Sequence, residues 1–280
     1  MKSFADKVAA ITGAGSGMGR TLALSLARRG CHVAVSDVNE VGLRETVDLA
    51  SRHGVKVTSK KVDVANREQV YAWAEDVVRE HGKCNLIFNN AGVAHSASIE
   101  GIDYADFEWI MGINFWGVVY GTKAFLPHLK AAGEGHIVNT SSLFGLLGIP
   151  SQSTYNSTKF AVRGFTEALR EELEVVRSPV SATCVHPGGI KTNIARSARV
   201  HDSVKSFGVV DLEKSRRDFE KAFRVTAEDA AETILRGVQR NARRVLVGMD
   251  AHALDMLQRL LPGHYHGLVA AAARRTLHNA

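Results

Sequence analysis

A chain of 280 residues with 45% hydrophobic and 23% charged side chains is too apolar to be disordered and long enough to bury a sizeable core. Lys and Arg outnumber Asp and Glu by 35 to 29, a formal charge of +6. The surplus is confined to one end: residues 1–190 hold 19 side chains of each sign, whereas residues 191–280 hold 16 basic and 10 acidic, with no nucleic-acid-binding motif or interleaved aromatics to match.

Cys31, Cys84 and Cys184 have neither disulfide-like nor metal-like spacing, and no His/Cys/Asp cluster has ligand spacing, so no metal site is expected. The start of the chain has no secretory h-region, and no stretch reaches the roughly 18 apolar residues of a membrane span. These features predict a cytoplasmic protein.

Short apolar runs at 8–11, 32–36, 56–64, 86–88, 136–140, 181–185 and 244–247 read as strands. Between them, helical periodicity covers 18–29, 41–52, 67–80, 104–131, 155–176 and 227–240. Runs with little polar alternation suit strands buried on both faces. Their regular alternation with helices predicts one α/β domain over residues 1–280, a Rossmann-type doubly wound parallel sheet of about seven strands. Two segments break the rhythm. Residues 193–225 are too long for an ordinary connection and read as a substrate lobe. Residues 250–280 form an appendix in which Leu254, Leu257, Leu260 and Leu261 share a helical face, Pro262-Gly263 stops the helix, and a second helix follows.

The first strand runs into Thr12-Gly13-Ala14-Gly15-Ser16-Gly17-Met18-Gly19 and then a helix. Glycines there allow a tight turn and close approach of a pyrophosphate to the helix N-terminus. Asp37 ends the second strand, placed to accept hydrogen bonds from a ribose 2′-hydroxyl and to repel a 2′-phosphate. Neither Ser16 nor Val38 supplies an offsetting cation, which favours NAD over NADP; the other reading of Asp37 is a cap on the following turn. Tyr155 and Lys159 project from one face of a helix, where an ammonium would favour the phenolate. Bringing a tyrosine from ~10 to ~7 requires roughly 4 kcal/mol, supplied by such a cation and a positive nicotinamide together.

With Asn139-Thr140-Ser141-Ser142 leaving the fifth strand, the ordered set of motifs resembles the short-chain dehydrogenase/reductase family, in its TGxxxGxG and YxxxK branch, over residues 5–248. The resemblance rests on Gly13–Gly19, Asp63-Val64, Asn89-Asn90-Ala91-Gly92, Asn114, Ser142, Tyr155, Lys159, Pro187-Gly188 and Thr192, with Met18 the one departure, where a branched aliphatic is common. It implies an oxidoreductase interconverting a secondary alcohol and a ketone, with Tyr155 as acid/base and Ser142 on the substrate oxygen. By the same resemblance Lys159 holds the nicotinamide ribose and Asn114 positions a water. Asp63 and Val64 meet the adenine, Asn90 with Ala91 and Gly92 the ribose side, and Ile190 and Thr192, after Pro187-Gly188, the nicotinamide amide. Ser142 is preferred to Ser141 because it lies thirteen residues before Tyr155, as in the family. A homodimer or homotetramer through helices 104–131 and 155–176 is also implied.

A non-catalytic dinucleotide-sensing protein is the alternative, though it would not need the Asn–Ser–Tyr–Lys set. Loops 93–102, 143–153 and 188–225 should line the substrate pocket. The apolar stretch Leu143-Phe144-Gly145-Leu146-Leu147-Gly148-Ile149, with Phe207, Val209, Val210, Leu212, Phe219 and Phe223 of the lobe, predicts a hydrophobic substrate or, alternatively, lobe-to-body packing. The lobe's basic residues read as a solvated face or as a rim drawing acidic substrates. His186 reads as structural, and the appendix as packing on the body, with cover of a neighbouring subunit or a membrane surface as the other options.

Overall fold

The computed structural model describes residues 1–207, 211, 217 and 223–278, with the side chains of 275–278 outside the description. Seven strands form one parallel sheet in the order β3–β2–β1–β4–β6–β7–β9. They are β1 (Val8–Thr12), β2 (His32–Asp37), β3 (Val57–Lys61), β4 (Leu86–Asn89), β6 (Gly135–Thr140), β7 (Val180–Pro187) and β9 (Arg244–Val247). Every residue of β1, β4 and β6 is buried, because helices cover both faces of the sheet's middle. At the edge, β3 is partly exposed in the sequence VTSKK and stops at Lys61, three residues short of the predicted 56–64.

The chain winds outward from β1 to β3, then returns to place β4 on the other side of β1. That reversal opens a crevice at the carboxyl ends of β1 and β4, where such sheets bind ligands. Helices α1 (Gly17–Ala27), α2 (Glu40–Ser51) and α7 (Ala227–Gln239) cover one face, burying Leu22, Leu26, Leu43, Ile234 and Val238 among β-strand valines. On the other face, α3 (Arg67–His81), α5 (Gly117–Ala131) and α6 (Ser153–Val175) bury Trp73, Phe125, Leu129 and Leu169. Trp73 and Phe125 meet edge-on at 5.1 Å, a geometry worth ~1 kcal/mol beyond area burial.

Three features depart from the sequence reading. The helix predicted over 104–131 is α4 (Tyr104–Met111), a π-helical turn at Gly112–Trp116, and then α5. A small second sheet pairs β5 (His95–Ser96) with β8 (Arg199–Val200), tying the start of the 193–225 segment to the loop after β4. The appendix forms α8 (Met249–Leu260) and α9 (Tyr265–His278), but only half of the predicted leucine face is covered. Leu254 and Leu257 pack against the body, whereas Leu260 is 72% exposed. No helix among the described residues is long and apolar enough to cross a membrane.

Candidate active site

The glycine-rich loop joins β1 to α1 at the crevice. Gly13 has φ of +65°, and a methyl group at Gly19 would collide with the Gly13 carbonyl. Only glycine therefore permits this turn against the helix. Helices α2, α3 and α7 are each capped by a side chain, from Asn39, Asn66 and Thr226. The start of α1 has none: Ser16 is extended, makes no capping bond, and no acidic residue sits in the first turn. Such an end leaves N–H groups and the positive dipole end for an anion.

A cavity of about 280 Å³ lies over this helix end, walled by Gly13, Ser16, Gly17, Met18, Asp37, Asp63, Val64, Asn90, Ala91, Gly92 and Thr192 among the predicted positions. Asp37 Oδ2 accepts the Gly15 N–H at 2.8 Å and Oδ1 accepts that of Asn39 at 2.9 Å. It thus caps the next turn and also fastens the glycine loop while lining the cavity. The Asn90 amide is spent on the Thr12 and Gly13 carbonyls, holding β4 to the loop. Pro187, Gly188 and Ile190 stand outside the cavity wall, on the strand end that leads to Thr192. The unpaired N–H groups at the helix end and the Asp37 carboxylate on the same cavity wall fit a dinucleotide with a pyrophosphate.

Ser142 follows β6 by two residues and shares a hydrogen bond with Tyr155 in the first turn of α6; neither lines the cavity. Ser141 is turned away, its hydroxyl donating to the Lys159 carbonyl at 2.8 Å. Ser142 Oγ accepts the Phe144 N–H at 3.1 Å. Lys159 is 3% exposed, and its ammonium donates to the Thr140 carbonyl at 3.0 Å and lies 5.5 Å from the Tyr155 ring centre. Asn114, fully buried in the π-helical turn, accepts from the Val93 N–H at 2.8 Å and donates to the Val93 carbonyl at 2.9 Å. A Cβ on Gly92 would lie 3.2 Å from Asn114 Oδ1 and 3.5 Å from Lys159 Nζ, so the three residues share one corner with the cavity wall.

The electrostatics run against the simplest expectation. Burial pushes the Tyr155 phenol up to about 12, opposed by a hydrogen bond with Ser142. Burial also pushes the Lys159 ammonium down to about 8. Desolvation disfavours the charged form of each group, so the chain holds a neutral phenol near neutral pH. The depression of Tyr155 predicted from its cationic neighbour is not a property of the folded chain alone.

Sequence reasoning passed over Asn156, whereas it read His186 as structural. Asn156 donates to the Phe144 and Leu147 carbonyls at 2.6 and 2.9 Å and accepts from the Ile149 N–H at 3.1 Å, so it shapes the apolar loop. An Asn inside a helix is a poor helix former, which is the one signal it gave. His186 Nδ1 meets the Ser142 carbonyl at 3.0 Å, and burial lowers its pKa to about 4. Buried His95 contacts Thr154 Oγ1 at 2.9 Å, one residue before Tyr155.

The predicted pocket loops divide between two tasks. Leu143, Leu146 and Leu147 are buried beneath Tyr265, Leu254 and Leu257, so packing claims most of this stretch. Phe144 instead meets Tyr155 edge-on at 6.0 Å. Within the lobe, Arg199 pairs with Asp106 at 2.6 Å and lies 3.6 Å over Trp109, and Lys205 pairs with Asp202 at 2.9 Å. These two charges are used within the fold rather than on a free rim. Val209, Val210, Leu212 and Phe219 fall outside the described residues.

The chain belongs to the short-chain dehydrogenase family of oxidoreductases, whose model, short chain dehydrogenase, matches residues 7–203. Among individual proteins it is 50% identical over 276 residues to the putative oxidoreductase SadH of Mycobacterium tuberculosis, covering 98% of each chain. It is 37% identical over 203 residues to the cyclohexanol dehydrogenase of Acinetobacter sp. strain SE19, covering 72% of this chain and 80% of that one. A short-chain dehydrogenase/reductase from Burkholderia phymatum, solved in complex with NAD, superposes with a TM-score of 0.84 at 31% identity, over 93% of this chain and 95% of the other.

Proposed function

We propose that the protein oxidises a hydrophobic secondary alcohol, or reduces the matching ketone, with NAD(H). The observation that supports this reading is that Asn114 and Lys159 meet Gly92 of the cavity wall, with Tyr155 beside Lys159 and hydrogen-bonded to Ser142. A bound nicotinamide accepts or supplies the hydride and, when oxidised, adds a positive charge to the site.

The residues then divide the work. Tyr155 takes the hydroxyl proton in oxidation and returns it in reduction. Ser142 donates to the substrate oxygen, where charge develops. Lys159 holds the ribose hydroxyls, and its ammonium favours the phenolate. Asn114 keeps the Gly92-Val93 backbone and the Lys159 corner in register. Asp63, Val64, Asn90, Ala91, Gly92, Ile190 and Thr192 line the dinucleotide's path.

NAD is preferred because Asp37 faces the ribose end and Arg20 is already committed to Gly15, Gly42 and Glu45. The substrate is apolar because Phe144 stands against Tyr155 and the neighbouring loop is rich in leucine. Likeness to an enzyme named for cyclohexanol supports an alicyclic alcohol. Exposed Trp116 and Phe160, on the segments from Gly112 to Val175, support assembly into a homodimer or homotetramer. The test is NADH formation at 340 nm with cyclohexanol and larger oily alcohols against polyols, each with NAD and NADP. A preference for polyols, or no turnover of any secondary alcohol, overturns the reading.

A further inference from the structure

We infer that the C-terminal helix pair is a working part of the active site, with Asp250 positioning the loop after β7 and Tyr265 positioning the apolar loop after β6. This rests on the oxidoreductase reading above and assigns to 249–278 a role in catalytic geometry rather than in cover alone.

Strand β9 ends at Val247, Gly248 turns with φ of +99°, and α8 begins at once. Asp250 therefore lies in the first turn of α8, directly over the end of neighbouring β7. Its Oδ2 accepts the Gly189 N–H at 2.7 Å. A side chain at Gly188 would collide with the Asp250 carboxylate, and a Cβ on Gly189 would sit 2.6 Å from the Phe223 ring. The Pro187-Gly188-Gly189 turn is gripped from both sides. Three residues on, Thr192 lines the dinucleotide cavity, and Ile190 is pinned by its bridge to Val225. A displaced turn would carry both with it.

Tyr265, at the start of α9, is 6% exposed, and its hydroxyl accepts the Gly148 N–H at 3.3 Å. Its ring packs on Leu143, Leu146 and Leu147, the loop that sets Phe144 against Tyr155. The two contacts therefore reach different halves of the site.

Apolar burial alone does not explain where α8 sits, since Met249, Met256 and Leu260 are 81%, 62% and 72% exposed. Polar bonds add to the packing of Ala251, Leu254 and Leu257. Buried Asp255 pairs with Arg244 of β9 at 3.0 Å and with Arg259 at 2.8 Å, and Arg244 also holds Glu167 of α6 at 3.0 Å. The helix is thus bolted to the sheet and to the helix bearing Tyr155, as a positioning arm requires.

The test uses the full chain and three variants, read by NADH fluorescence titration, by separate KM values for NAD and a hydrophobic alcohol, and by Tm. Asp250→Ala should weaken NADH binding about tenfold, the scale of a lost charge-assisted bond, with little change in alcohol KM. Asp250→Asn should restore most of that loss, because its amide oxygen still accepts the Gly189 N–H. Tyr265→Phe should raise the alcohol KM about threefold while NADH binding stays unchanged. Parallel changes in both ligands tracking a fall in Tm, or no change in either, would overturn the inference. If wild type binds NADH but oxidises no alcohol, the substrate reading fails while the Asp250 titration still decides its own case. If wild type binds no NADH, both fail.

Discussion

The sheet with its covering helices, β9 and α7 included, and the segments at 193–207 and 249–278 are held in place by different physics. In the first, position is set mainly by parallel backbone ladders that run from β3 to β9, with side-chain bonds of buried Asn89 and Asn139 to each other and to Thr122 and Thr166 added under the crevice. In the second, apart from the two-residue β5–β8 ladder, side chains do much of the fastening, through Arg199 to Asp106, Asp250 to Gly189, Tyr265 to Gly148 and Arg244 to Asp255. A backbone ladder tolerates little variation without losing the fold, whereas individual side-chain bonds can be exchanged one at a time. The contrast teaches that single side-chain substitutions loosen the second region locally while the sheet keeps its register.

The sharpest way to break that contrast is Tyr155→Phe. It should cut turnover by about 10²–10⁴-fold, the usual contribution of a proton-transfer group, with NADH affinity nearly intact by titration. Full activity in that variant would remove the catalytic assignment from the first region altogether.

The sheet should next show itself in acid. Burial lowers His136 to about 3 and His186 to about 4, both below the ordinary imidazole value of ~6.5. Between those values the unfolded chain binds protons that the folded chain refuses, so stability falls as pH drops from ~6.5 toward 4. Each group should withdraw about 2 kcal/mol by pH ~4.5, measured by urea unfolding, and His186→Asn should flatten its share of the slope.

Asp37→Asn keeps one acceptor for the glycine loop but removes the charge. The KM for NAD should rise about tenfold and the preference over NADP should shrink, in steady-state kinetics with both cofactors. An unchanged cofactor ratio would deny Asp37 any part in selection. The smallest effect belongs to the side-chain fastenings. Arg199→Ala removes a half-exposed ion pair and its stacking on Trp109, costing about 1 kcal/mol in stability by thermal unfolding. A loss as large as that from the sheet histidines would show that the two regions are not distinct.

All seven strands and the covering helices are legible in the sequence, because burial on both faces writes short apolar runs in the inner strands, helical periods separate them, and glycine sterics mark the first turn. The small β5–β8 sheet is not legible, since two-residue strands leave no periodicity. Asp250 and Tyr265 escape notice because their partners are backbone amides 61 and 117 residues away. Ser142, Tyr155, Lys159 and Asn114 can be named from motif order, but the direction of their pKa shifts depends on packing density, which no motif encodes. The loop at 143–149 reads as pocket lining from its leucines alone; which leucines serve the pocket and which the appendix is decided only by the fold.

The π-helical turn at Gly112–Trp116 has a consequence for how this chain tolerates length changes. It holds one more residue than an α-helical turn would need, and each residue advances a helix by about 100°. Deleting a single residue there would yield a more regular rod joining α4 to α5. It would also swing Asn114 away from Val93, severing both of its bonds to that backbone. The irregularity is thus a local frustration retained against the preference of the helix itself, and a chain optimised for helical regularity would lose the corner where Gly92, Asn114 and Lys159 meet.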